Sequence, residues 1–191
     1  MKIVILGAGK MGVWLSDALC LQHEVAVMDH DLGRLRYVFN TVRITQLEEL
    51  ADFAPEILIN AVNLQHTQKA FEEVLPFLPE NCILADIASV KNGIKTFYEA
   101  SGHPFVSVHP MFGPTFASLN NLSNHHAIII SESCETGKVF FLQFFSSLGV
   151  QIHDYSFDAH DRTIAYSLSI PFASTLVFGA SMQHQKAPGT T

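Results

Sequence analysis

Five short segments hold residue types that can do chemistry at a spacing that could bring them together. They are GAGKMG at residues 7–12, Asp29, DIASVK at 86–91, HPMFGP at 109–114, and His160-Asp161. HPMFGP sets a histidine and a phenylalanine beside two prolines. Proline fixes its own φ and lacks a donor, so the segment is expected to be an ordered loop rather than helix or sheet ladder. A histidine titrates near neutrality, so His109 held in such a loop is suited to taking or giving a proton.

The glycine segment follows the apolar run KIVIL and opens the helical pattern MGVWLSDALCL. In that context Gly7 makes a tight turn, Gly9 lets the backbone approach a pyrophosphate, and Gly12 allows close helix packing. The helix start, with Ala8, Lys10 and Met11, supports the anion. The next strand pattern, EVAVMD, ends in Asp29, placed to bond both hydroxyls of a ribose. An acid there would repel the extra phosphate of NADP, so NAD is the expected dinucleotide, with Arg34 nearby able to soften the preference. EILINAV ends later at Ala61, Val62 and Asn63, which are expected to border the nicotinamide end.

Strand-like and helix-like patterns alternate to position these groups. KIVIL, EVAVMD, TVRIT, EILINAV, CILADI, PFVSVH, HAIIIS and VQIHDY read as strands. MGVWLSDALCL, LGRLRYVF, HTQKAFEEVLPFL, the stretch after Ser89, and GKVFFLQFFSSLG read as helices. Such alternation predicts an α/β fold with a doubly wound, mostly parallel Rossmann-type sheet. The phenylalanines at 140–145 are expected in the core. From Ser156 the pattern becomes one long helix that Pro171 should kink, the start of an all-α domain. The expected division is a dinucleotide-binding domain at 1–155 and the beginning of a helical domain at 156–191.

Apolar residues make up 48% of the 191 residues and charged ones 15%, with a net charge of -7. A core is attainable at that length, and no basic stripe exists for nucleic acid. No uninterrupted apolar stretch of membrane-spanning length is seen, so no membrane association is expected. Cys20, Cys82 and Cys134 are odd in number and widely spaced, which fits reduced thiols in a cytoplasmic protein. The histidines lack the spacing of a metal site, so no metal is expected.

GAGKMG, DIASVK, HPMFGP and the HD opening the long helix together resemble the prephenate dehydrogenase family of tyrosine biosynthesis, over nearly the whole chain. The resemblance implies NAD as cofactor and oxidative decarboxylation of prephenate to 4-hydroxyphenylpyruvate, or of arogenate to tyrosine. It implies that His109 takes the proton from the ring hydroxyl as hydride leaves the same carbon, and that Ser89 hydrogen-bonds that hydroxyl and the histidine. Taken alone, Ser89 would be the N-cap of the helix that follows. Lys91 and His160 are candidates for binding the anionic substrate, although a solvated lysine and a helix-opening His-Asp pair would look the same.

The family also has a helical dimerisation domain whose arginine clamps the ring carboxylate. The chain reaches Thr191 within what resembles the connection to that domain, and Arg162 does not match the clamp. It is therefore expected to be an excised or truncated piece of a longer enzyme, the alternative being a natural short form. SIPF stands at 169–172, where many members carry a histidine. The apolar helix is expected to pair with a second copy, giving a homodimer. Two other readings are a 3-hydroxyacid-type NAD-dependent dehydrogenase and a non-catalytic NAD-binding module. The first typically needs a lysine in the long helix, and none lies between Asp161 and His184.

Overall fold

The structure is a computed structural model that describes residues 1–114 and 122–185. The terminal APGTT and Lys186 lie outside the described residues. Eight strands form one sheet: β1 (Lys2–Leu6), β2 (Glu24–Met28), β3 (Val42–Ile44), β4 (Ile57–Asn60), β5 (Ile83–Asp86), β6 (Phe105–Pro110), β7 (His126–Ile130) and β8 (Gln151–Tyr155). Their order is β3-β2-β1-β4-β5-β6-β7-β8, parallel throughout except between β6 and β7. The expected Rossmann-type sheet is therefore present. Its winding reverses between β1 and β4, so the loops after these strands open a crevice at the carboxyl edge.

The helices are α1 (Lys10–Leu19), α2 (Glu49–Phe53), α3 (Thr67–Val74), α4 (Ile94–Ser101), α5 (Glu135–Ser147), α6 (Phe157–Ile164) and α7 (Ile170–Gln185). They cover both faces of the sheet, which is why the central strands are apolar at successive positions instead of alternating. Ile3, Ile5, Ile57, Ile59 and Val106 pack on one face with Leu15, Phe141 and Phe145. Val4, Leu6, Leu58 and Leu84 pack on the other with Phe71, Phe97, Tyr98 and Phe157. The phenylalanine-rich α5 is core, as its period suggests.

Four local expectations change. LGRLRYVF forms only a 3-10 helix over Leu32–Tyr37. Ser89 caps no helix, because α4 starts at Ile94 behind Gly93, whose φ of 81° suits glycine. HPMFGP is not all loop, since His109 and Pro110 pair with Ile128 and Ala127 of β7. The proline is tolerated because donors alternate along an antiparallel edge: Met111 N–H donates to the His126 carbonyl, so Pro110's nitrogen faces away from β7, past the end of β5. In the long helix the irregularity is a π segment at Ala165–Ser169, directly before Pro171, where the missing donor interrupts regular bonding.

The first two turns of that helix are anchored on the sheet through Phe157, His160 and Ile164, all buried. Beyond them Tyr166, Ile170, Phe172, Leu176, Val177 and Phe178 are exposed. The sequence shows no unbroken apolar run of spanning length, yet the joined helix Phe157–Gln185, 29 residues containing an 18-residue window of mean hydropathy 1.4, is long and apolar enough to cross a membrane by length and composition. Interspersed serines, threonines and glutamines disguise this in the sequence. Helix α5 approaches the sheet so closely that a Cβ on Gly137 would lie 2.6 Å from Val106 Cβ. Gly137→Ala should therefore cost about 1–3 kcal/mol of stability from overpacking. Urea unfolding checks this, and undiminished stability would contradict the tight α5–sheet contact.

Candidate active site

Two adjoining clefts occupy the carboxyl edge at the winding reversal. The first, about 350 Å³, is bordered by Gly7, Gly9, Asp29, Arg34 and the loop Ala61, Val62 and Asn63. The second, about 450 Å³, shares Gly9 and that loop and adds Lys10, Met11, Ser89, His109 and Phe112. The predicted nucleotide-loop residues and the predicted proton-transfer residues thus meet across one shared wall. Ala8 sits in the same loop, while Gly12 faces inward.

Each glycine has its own geometric reason. Gly7 has φ 97°, and a Cβ there would lie 3.1 Å from the Ala61 carbonyl oxygen. A Cβ on Gly12 would meet the Gly7 carbonyl oxygen at 1.8 Å, so α1 can approach its own loop only with glycine. Nothing lies within 4 Å of a Cβ on Gly9, whose backbone is open toward the clefts. Gly9 begins α1 without a side-chain cap and with no acid in the first turn. This bare helix start beside an open glycine fits an anionic diphosphate.

Asp29 is almost wholly buried and already employed. Its Oδ2 accepts the Ala8 N–H at 2.7 Å and its Oδ1 accepts the Asp31 N–H at 2.8 Å. It holds the glycine loop against β2 while still bordering the first cleft. Asn60 does similar work for the other wall. Its amide donates to the Thr67 carbonyl at 2.8 Å and accepts the Val62 N–H at 3.2 Å. Sequence reading missed Asn60, though a buried amide ending an apolar strand was the available signal.

Beneath the second cleft is a buried polar chain. Lys91 Nζ donates to Asp86 Oδ1 at 2.6 Å and to the Val108 carbonyl at 2.7 Å, while Tyr98 donates to Asp86 Oδ2 at 2.8 Å. Lys91 and Asp86 side chains are both 0% exposed. Lys91 therefore does not reach out for a substrate; it points inward because the carboxylate and carbonyl give its charge partners. Burial pushes its ammonium below the ordinary lysine range against the pull of Asp86. Burial, with the Asp86 charge, pushes the Tyr98 phenol well up.

His160 is likewise fully buried and cannot touch a substrate directly. Its Nε2 lies 3.0 Å from His109 Nδ1, and its Nδ1 lies 2.8 Å from Asp161 Oδ1. The same Asp161 oxygen accepts the Lys91 backbone N–H at 2.9 Å. Burial, the Lys91 charge and His160 lower the His109 pKa to about 4, so its imidazole is neutral at pH 7. Burial lowers His160 as well, against its bond to Asp161. Ser89 borders the same cleft but is exposed, and no hydrogen bond joins it to His109. Among the described residues no group of three or more metal-ligating side chains exists.

The arrangement is that of a dinucleotide-binding sheet with a neutral histidine beside the cleft. The family model described as prephenate dehydrogenase, nucleotide-binding domain, matches residues 21–151, and the chain belongs to that family. The match begins after the glycine loop, which stands on its own geometry. The T-protein of Enterobacter agglomerans is 29% identical over 185 residues, covering 96% of this chain and 45% of that protein. The chain spans less than half the length of the curated relatives it matches.

Among solved structures, prephenate dehydrogenase from A. aeolicus in complex with hydroxyphenyl propionate and NAD+ superposes with TM-score 0.82 at 16% identity. It covers 96% of this chain and 70% of that one. Synechocystis arogenate dehydrogenase gives TM-score 0.77 at 21% identity, covering 95% and 69%. At such identities these likenesses establish the fold.

Replacing Lys91 by methionine should cost about 3–5 kcal/mol of stability, because Asp86 would be left as an uncompensated buried charge. Chemical denaturation reads this directly, and a loss near zero would show that the pair carries no structural load.

Proposed function

We propose that the chain is the dinucleotide-binding and proton-transfer part of an NAD-dependent dehydrogenase that oxidatively decarboxylates prephenate or arogenate. The observation that carries this reading is the shared wall: the glycine loop and His109 border one continuous crevice through Gly9 and residues 61–63. Family membership supplies the substrate class.

Residues 7–12 and the start of α1 would hold the diphosphate of NAD, Asp29 would accept from the ribose, and Ala61, Val62 and Asn63 would border the nicotinamide. NAD, when bound, supplies the hydride acceptor. His109, neutral and facing the cleft, takes the proton of the ring hydroxyl as that carbon becomes a carbonyl. Loss of the neighbouring ring carboxylate as carbon dioxide then leaves an aromatic ring, which makes the reaction effectively irreversible. Ser89, which borders the same cleft, would hydrogen-bond the same hydroxyl. The exposed apolar face of α7 would pair with a second copy, and the three unpaired cysteines fit a reducing, cytoplasmic setting.

NADH formation at equal NAD with prephenate and with arogenate, compared between the native chain and His109→Asn, tests the reading. The variant should lose about a hundredfold or more in rate, as expected for a lost general base, with NAD affinity unchanged. An unchanged rate would remove His109 from the chemistry. The pH profile gives a second test. A histidine lowered to about 4 in the folded chain stays an effective base as pH falls through 6.5, so kcat/KM should decline only near pH 4. A half-maximal point at 6.5 or above, with the fold intact by circular dichroism, would contradict the burial of His109.

A further inference from the structure

We propose that His160 and Asp161 are positioning residues that fix the tautomer of His109, placing its proton on Nδ1 and leaving the Nε2 lone pair for the cleft. The catalytic consequence rests on the dehydrogenase reading above, whereas the tautomer itself does not.

The direction of the chain is set at its far end. A carboxylate oxygen can only accept, and Asp161 Oδ1 is held in place by the Lys91 backbone N–H at 2.9 Å. The His160 nitrogen 2.8 Å from that oxygen, Nδ1, must therefore carry the proton. A neutral imidazole has one donor and one acceptor, so His160 Nε2 is an acceptor. It lies 3.0 Å from His109 Nδ1, which must then be the donor. His109 Nε2 is left unprotonated, with no hydrogen-bond partner among the described residues, on a ring that borders the second cleft.

His160 is fully buried and His109 nearly so, so bulk water does not replace the acceptor at His109 Nδ1 when His160 is removed. A histidine without such a constraint favours the opposite tautomer, with the proton on Nε2, and would then present a donor where the reaction needs an acceptor. When His109 takes up a proton at Nε2, its Nδ1–H remains bonded to His160, and the His160 Nδ1–H remains bonded to the Asp161 carboxylate. No proton need pass along the chain. The segment contributing this device is the first turn of α6, whose anchoring to the sheet otherwise has no bearing on the cleft.

The test is nitrogen-15 NMR of the full chain labelled in its 10 histidines, with His109 and His160 assigned from the His109→Asn and His160→Gln spectra. Long-range nitrogen–proton correlations at neutral pH should show both residues protonated at Nδ1. In His160→Leu, His109 should revert to protonation at Nε2, while His160→Gln, whose amide oxygen can still accept, should keep Nδ1. His109 protonated at Nε2 in the native chain overturns the proposal, as does an unaltered tautomer in His160→Leu. Should His160→Leu not fold, the native and His160→Gln spectra decide alone.

In turnover, His160→Leu should lower kcat by about a hundredfold or more with KM little changed, and His160→Gln should recover most of it. Equal loss in both variants would overturn the acceptor role. A native chain with the Nδ1 tautomer and no turnover on either substrate would defeat the dehydrogenase reading and leave the tautomer assignment standing.

Discussion

The fully buried ion pair of Lys91 and Asp86 is the interaction on which the candidate site depends. Charges inside a sheet-helix interface are tolerated only when every donor and acceptor is matched, and here the matching joins β5, β6, α4 and α6. Lys91 Nζ ties the end of β5 to the Val108 carbonyl of β6, and the Lys91 backbone N–H reaches Asp161 at the start of α6. The residue after Val108 is His109, and the residue before Asp161 is His160. One lysine thus sets the separation of the two histidines, at the cost of a cation that lowers the proton affinity of both.

The second constraint is the reversal of winding between β1 and β4. It leaves the loops after these strands with no crossover between them, so residues 7–12 and 61–63 become facing walls. Asp29, directly after β2, and Asn60, which ends β4, turn their side chains back to hold the two walls by backbone N–H groups. The crevice is bordered by the backbone of the glycine loop together with the cations Arg34 and Lys10.

Much of the fold was readable because both faces of a parallel sheet must be apolar, and runs such as KIVIL and EILIN satisfy that in sequence alone. Gly7 and Gly12 were readable because glycine is demanded there by local geometry. That Lys91 and His160, candidates for substrate binding in sequence, are buried was not legible, since exposure cannot be read from a residue's name. What identifies Lys91 as interior is Asp86 five residues earlier closing an apolar strand, and what buries His160 is a long-range contact with β6 that no local pattern encodes. HPMFGP showed two prolines but not that its first two residues pair with a strand beginning at His126. The π segment before Pro171 likewise reflects how the ladder repairs a missing donor, which composition does not specify.

In the proposed reaction, proton acceptance by His109 is coupled to aromatisation, so its most direct test is stoichiometric. Prephenate and arogenate should be supplied separately with excess NAD to the purified chain, and NADH and carbon dioxide measured to completion from the same sample. Oxidative decarboxylation in this site requires equal yields of NADH and carbon dioxide from at least one of the two substrates. Carbon dioxide without NADH, or binding of NAD with neither product from either substrate, would contradict it.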